Sequence, residues 1–290
     1  MATVCFKLAV LDIDGTLLDP NGAISDRVRR AVRAAVESGC LVTLASGRRL
    51  WAARGVAAEL GIATPLILYN GGLVFDLAAE RALYQAPLTA SATAQAVDLI
   101  WSSGYLPVVF ENPLQGERIF TGPQERQNRA ADHYLNRRQL DTVRLDQAIL
   151  RAIPHPLLLA TMADEDEMRR LEKQIQRAGI ECQTLVERQT FIPGSCWWQL
   201  DVMAPGCTKG SALLHLCEQT GILPQETLAI GDGINDLELI RAAGLGIAMG
   251  NAVAEVRAAA VHVVSDNAHD GVAEAVERYV LRDHDSLATV

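Results

Sequence analysis

The sequence predicts an α/β protein: a doubly wound, mostly parallel sheet into which a smaller α+β domain is inserted. Three observations carry this expectation. Short apolar runs alternate with helical patterns from Phe6 to Tyr69, and the same rhythm returns from Trp197 to Leu281. Between them, residues 85–194 hold most of the prolines (87, 107, 113, 123, 154, 156 and 193) and lack that order. This middle stretch is nearly neutral, with 12 basic and 14 acidic residues, while the flanks carry most of the negative charge. Residues 1–84 and 195–290 are therefore expected to form the core, and residues 85–194 the inserted domain.

Phe6 to Leu11 is a continuous apolar run, the pattern of a parallel strand covered on both faces. Ser25 is placed to cap a helix through Val36, and Gly39 to stop it. Leu41 to Ala45 makes a second strand, Arg48 to Leu60 a helix ended by Gly61, and Leu66 to Tyr69 a third strand. A short hairpin is expected around Leu73–Phe75 and Ala82–Tyr84. The middle should hold helices at 90–103, 124–138 and 166–178 and strands at 106–110, 156–162 and 181–186. Trp197 to Val202 reads as a strand of the returning core, with Trp197 and Trp198 as its packing residues. Lys209 to Gln219 then forms a helix ending at Gly221, Thr227 to Ile230 a strand, and Ile234 to Ala243 a helix stopped by Gly244. Strands at Leu245–Ala248 and Val261–Val264 and a helix from Val272 to Leu281 complete the pattern. The polar tail after Arg282 is expected to fray.

Composition narrows the function. Hydrophobic residues at 49% and charged residues at 21% are the balance of a globular protein, and an aromatic share of 5% does not suggest a stacking platform. A net charge of -9 argues against nucleic acid, whose binding rests on Lys and Arg neutralising phosphates. A small phosphorylated ligand needs only a few local donors and is not excluded. No apolar stretch approaches the ~20 residues that span a bilayer. The amino terminus meets two aspartates by position 14 without a small-residue cleavage site, so neither a signal peptide nor a membrane anchor is expected. The six cysteines (5, 40, 182, 196, 207 and 217) form no C-x-x-C pair, which favours free thiols in a reducing cytoplasm over a zinc site or disulfides.

Asp12-Ile13-Asp14-Gly15-Thr16 follows directly on the first strand, where ligands of open α/β sheets bind. Gly15 permits a sharp turn that can bring both carboxylates to one centre. Close carboxylates repel one another and favour a bound cation, and oxygen-only ligands point to Mg2+. One carboxylate can attack phosphorus while the other exchanges protons. Alone, the pair reads equally well as two acidic turn residues. A second acidic turn, Gly231-Asp232-Gly233-Ile234-Asn235-Asp236, also follows an apolar strand and opens a helix. Asp232 can complete a metal shell there, with Asn235 and Asp236 as polar support; the alternative is a capping turn. Ser46-Gly47-Arg48 ends the second strand and starts a helix, a serviceable anion site, although serine is also a common helix cap. Lys209 opens a helix where it can offset nearby carboxylates and hold a phosphate oxygen.

Together these motifs resemble the haloacid dehalogenase superfamily, and their spacing, with an insert between the second and third, resembles its Cof-type (subclass IIB) phosphatases. Asn70-Gly71-Gly72, Gly246 to Ala252 and Asp270-Gly271-Val272-Ala273 extend the match. The resemblance implies a core of this family with an inserted cap domain, and a Mg2+-dependent phosphatase acting on a small phosphorylated metabolite such as a sugar phosphate or phosphorylated cofactor. It implies that Asp12 is the nucleophile, forming an aspartyl-phosphate, and that Asp14 is the general acid and then base. Ser46, the Gly47 amide, Lys209 and Asn235 would hold the phosphoryl group. Asp12, the Asp14 carbonyl, Asp232 and Asp236 would form the metal site, with Asp236 in a supporting place. Ser46 stands where many relatives have Thr, which keeps the hydroxyl, and Gly72 where they often have Ala.

Arg48, beside the phosphate site, is the candidate contact to substrate. Arg126, Arg129, Arg137 and Arg138 read as a solvated helix face, with the alternative that one reaches an anionic substrate. The six histidines (133, 155, 215, 262, 269 and 284) show no ligand spacing. Three rival readings are a phosphomutase, a non-catalytic phosphate-dependent binding protein and a phosphoaspartate receiver domain.

Overall fold

The computed structural model describes residues 6–125, 128–137, 142–189 and 196–281. The expectations for Cys5, Arg126, Arg138 and the tail after Arg282 lie outside these residues, as does the side chain of Arg137.

Along the chain the strands are β1 (Leu8–Leu11), β2 (Leu41–Leu44), β3 (Leu66–Leu68), β4 (Leu73–Asp76), β5 (Arg81–Gln85), β6 (Val108–Phe110) and β7 (Ile119–Thr121). There follow β8 (Thr142–Arg144), β9 (Leu158–Ala163), β10 (Gln183–Arg188), β11 (Trp198–Met203), β12 (Thr227–Gly231), β13 (Leu245–Ala248) and β14 (His262–Val263). The helices are α1 (Asp26–Glu37), α2 (Leu50–Leu60), α3 (Ala90–Ser102), α4 (Arg129–Arg137) and α5 (Gln147–Leu150). The later ones are α6 (Glu165–Arg177), α7 (Lys209–Thr220), α8 (Leu237–Ala242), α9 (Ala254–Ala259) and α10 (Gly271–Tyr279). They fall into two compact units, Met1–Tyr84 with Thr208–Val290, and Gln85–Cys207.

The first unit is built on a parallel sheet in the order β14-β13-β12-β1-β2. β1 lies inside it, and all four of its residues are buried, as the unbroken apolar run requires. A parallel bridge between Ala45 and Ile67 links β2 to β3, which begins an antiparallel sheet with β4 and β5. Ser25 caps α1 by accepting a hydrogen bond from the Val28 amide, and Val28, Ala31, Val32 and Ala35 form its buried stripe. α7 starts in a reciprocal cap: the Ser211 amide donates to Thr208 Oγ1 at 3.0 Å and the Thr208 amide to Ser211 Oγ at 3.1 Å. Gly61 and Gly221 close α2 and α7 in the left-handed conformation, at φ 70° and 69°.

The second unit is a sheet in the order β10-β11-β9-β6-β7-β8, antiparallel except for the β7–β8 pair. Its helix-side core joins Val97 and Ile100 of α3 and Leu171 and Ile175 of α6 to Val109, Leu159, Leu200 and Val202. Here the expected boundary is corrected. β11 was expected in the core that resumes at residue 195, but it pairs antiparallel with β9 and β10, and the chain returns to the first unit only at Thr208. The reason lies in its alternation: Leu200 and Val202 face the apolar cluster while Gln199 and Asp201 alternate with them along the strand, Gln199 Nε2 donating to Asp201 Oδ1 at 2.6 Å. Such a strand suits an antiparallel sheet with two unlike faces. β7 and β8 were not expected; each has three residues, too few to show a period.

Gly210 allows α7 and α8 to approach closely, because a Cβ there would stand 2.4 Å from the Glu238 carbonyl oxygen. Gly210→Ala gains about 1 kcal/mol of helix propensity, but overpacking costs about 1–3 kcal/mol. The obstacle is backbone and cannot rotate aside, so the expected outcome is a net loss of stability. A urea or thermal melt at least as stable as wild type would contradict this close contact.

Candidate active site

The site forms at the carboxyl ends of β1, β2 and β12, which are in register with Leu11 opposite both Ile230 and Leu44. Asp12 continues β1, its amide donating to the Ile230 carbonyl at 3.0 Å. The chain then turns through Gly15 at φ 88°. A Cβ on Gly15 would stand 2.3 Å from Asp232 Oδ2, so only glycine lets the two acidic turns meet. Thr16 Oγ1 completes the junction by donating to Asp232 Oδ1 at 2.7 Å.

At the centre lies Lys209, fully buried at the first position of α7. Its ammonium donates to Asp12 Oδ1 at 2.7 Å and to Asp236 Oδ1 at 2.6 Å. Asp236 Oδ2 accepts the amides of Asp232 and Gly233, each at 3.0 Å. Both Asp236 oxygens therefore serve the loop and Lys209. Asp12 keeps an Oδ2 that receives no hydrogen bond among the described residues.

The other expected residues form two adjoining groups. Arg48 Nε and Nη2 donate to Asp14 Oδ2 and Oδ1 at 2.7 and 2.6 Å, a bidentate pair in which both side chains are largely shielded. Arg48 was expected to face substrate; here its guanidinium holds Asp14, because two planar groups in reach of each other satisfy both. Ser46 is buried, and its Oγ accepts the Arg48 amide at 3.1 Å. Gly47 lies against the amide of Asn70, whose Oδ1 accepts from Asn235 Nδ2 at 3.1 Å.

Three participants had no assigned role: Thr16, Asn70 and Asn251. Asn251 Nδ2 donates to the Gly15 carbonyl at 2.8 Å and weakly to Asp232 Oδ2 at 3.4 Å. Asn70 and Asn251 stood in motifs of the resemblance, and Thr16 in the first acidic turn, but nothing in spacing said what they touch. His215 and His262 instead stack on Tyr84 and Tyr279, in keeping with structural roles.

Electrostatics explain what such a site takes up. Burial, reinforced by the charge of Asp236, raises the Asp12 carboxyl well above its ordinary value, against the pull of Lys209. Burial, and then Asp236, likewise raises Asp232 to about 7, opposed by the Thr16 hydrogen bond and Lys209. Burial opposes the charge on Lys209, yet Asp12 and Asp236 outweigh it and hold the ammonium protonated. One ammonium among three carboxylates leaves negative charge in excess. Asp12, Asp232 and Asp236 each offer an oxygen, all within 4.8 Å of one another, a hard donor set that fits a divalent cation.

A sequence model of the haloacid dehalogenase-like hydrolases matches residues 9–276. The chain belongs to this family. It is 29% identical over 270 residues to an HMP-PP phosphatase of Klebsiella pneumoniae, covering 92% of this chain and 93% of that one. It is 27% identical over 281 residues to the 5-amino-6-(5-phospho-D-ribitylamino)uracil phosphatase YcsE of Bacillus subtilis, covering 96% and 97%. A solved haloacid dehalogenase-like hydrolase from Bacteroides thetaiotaomicron superposes with a TM-score of 0.77 at 28% identity, covering 94% of this chain and 99% of that chain. Both the α/β core and the separate sheet-rich unit expected from the family are present. No helix among the described residues is long and apolar enough to cross a membrane.

The raised Asp232 links stability to pH and metal. A carboxyl raised to about 7 in the fold favours the folded state below the unfolded carboxylate pKa of about 4 and loses that stabilisation as pH rises through the folded value. A divalent cation held by the same carboxylates would compete with that proton. Added divalent cation, tested as Mg2+, is therefore expected to raise the melting temperature more at about pH 8 than at about pH 5. An equal or larger rise at the lower pH would contradict this charge arrangement.

Proposed function

We propose that this hydrolase is a Mg2+-dependent phosphatase that cleaves a small-molecule phosphomonoester through an aspartyl-phosphate on Asp12. The observation that carries the reading is the buried Lys209 ammonium bonded to Asp12 Oδ1, which leaves Oδ2 as the oxygen able to attack phosphorus. Mg2+ held by Asp12, Asp232 and the Asp14 carbonyl, with Asp236 in support, would offset charge on the phosphoryl oxygens.

Ser46 Oγ, the Gly47 amide, Lys209 and Asn235 are proposed to bind those oxygens, which orients the ester for in-line attack. Asp14 then delivers a proton to the departing alkoxide and takes one from the water that hydrolyses the intermediate. Arg48 holds both Asp14 oxygens in the geometry described, so Asp14 must leave this grip to do so. Substrate choice is assigned to the inserted unit. The phosphatase names of the two relatives support a small phosphorylated metabolite.

A phosphate-release screen over sugar phosphates, nucleotides and pyridoxal phosphate, with and without Mg2+, tests the reading. Turnover should require the metal, and Asp12→Asn should lower it by at least about 10⁴-fold, as for loss of other nucleophiles. Asp12→Asn turning over at the wild-type rate would remove Asp12 from the mechanism.

A further inference from the structure

Tyr69, Asn70 and Gly71 are three successive residues in the left-handed region, at φ 52°, 53° and 101°. Asparagine tolerates this conformation; a buried tyrosine rarely adopts it, and such strain persists only where the surroundings impose it. Here they do so from two sides. The Tyr69 amide donates to the Arg48 carbonyl at 3.2 Å and the Asn70 amide to the Ser46 carbonyl at 3.1 Å. Gly71 is pressed against the entry to α7, where a Cβ would stand 2.1 Å from the Thr208 carbonyl oxygen. The turn is thereby fixed to the Ser46–Arg48 loop and to the residue preceding Lys209.

What the turn delivers is the Asn70 side chain, which is 2% exposed. Its Oδ1 accepts from Asn235 Nδ2 at 3.1 Å. The same amide covers Gly47, where a Cβ would stand 2.9 Å from Asn70 Oδ1. One side chain thus touches two of the groups assigned to phosphate, and they come from opposite ends of the sequence. We infer that Asn70 is a positioning residue for the phosphate cradle, its buried amide setting Gly47 and Asn235 against each other so that both face one anion. The inference rests on the phosphate-site reading given above.

Glycine at position 70 separates the side chain from the backbone, because it accepts φ 53° without strain and removes only the amide. The experiment measures inorganic phosphate binding by calorimetry in Mg2+ buffer for wild type, Asn70→Gly, Asn235→Ala and the double variant, with melting temperatures and steady-state kinetics. Asn70→Gly should melt near wild type and bind phosphate about tenfold more weakly, its loss in kcat/KM lying mainly in KM. The double variant should lose less affinity than the two single losses summed, since part of what Asn70 does passes through Asn235. Phosphate affinity unchanged in Asn70→Gly, or losses that simply add, would overturn the positioning role while leaving the phosphatase reading intact. Wild type that neither binds phosphate nor releases it from esters would overturn that reading, and this inference with it.

Discussion

The ammonium of Lys209 sits between the carboxylates of Asp12 and Asp236 without access to solvent. Removing such charges from water costs several kcal/mol per ion, and only close, well-oriented partners offset it. Three elements must therefore arrive together: the end of β1 with Asp12, the start of α7 with Lys209, and the loop after β12 with Asp236. The reciprocal cap of Thr208 and Ser211 fixes where α7 begins, and Gly210 lets that helix lie against α8. The amides of Asp232 and Gly233 anchor the far oxygen of Asp236, so the loop is set by the residue it presents.

The same network accounts for the excess of negative charge. Lys209 neutralises part of it, and Asp12 and Asp232 are left with raised affinity for protons or for a cation. A phosphoryl-transfer site needs this imbalance, because metal and substrate arrive together as opposite charges. The Asp14–Arg48 pair stands beside the cluster without entering it, which keeps the carboxylate proposed for proton transfer apart from the proposed nucleophile.

The core was legible because its strands are buried on both faces and its chemistry follows each strand end. Asp12, Ser46 and Asp232 all sit immediately past an apolar run, and the structure brings those ends together. Lys209 was legible only by its place at a helix start. An apolar strand reads as a core strand, which misplaces β11, although Gln199 and Asp201 break the run at alternate positions. Arg48 was read as facing substrate because sequence shows proximity along the chain and not which carboxylate a guanidinium finds. Asn70 escaped assignment for a related reason: its value depends on a left-handed turn and on Asn235, 165 residues away.

The central claim is that Asp12 carries the phosphoryl group. Acid-quenched single turnover with a substrate found by screening, followed by borohydride reduction and peptide mapping, tests it directly. An aspartyl-phosphate is reduced to homoserine, whereas a free carboxylate is not. Homoserine at position 12, formed only with substrate and Mg2+ present, is the predicted result. Trapping at another carboxylate, or phosphate release in the quenched turnover with position 12 never reduced, would contradict the account.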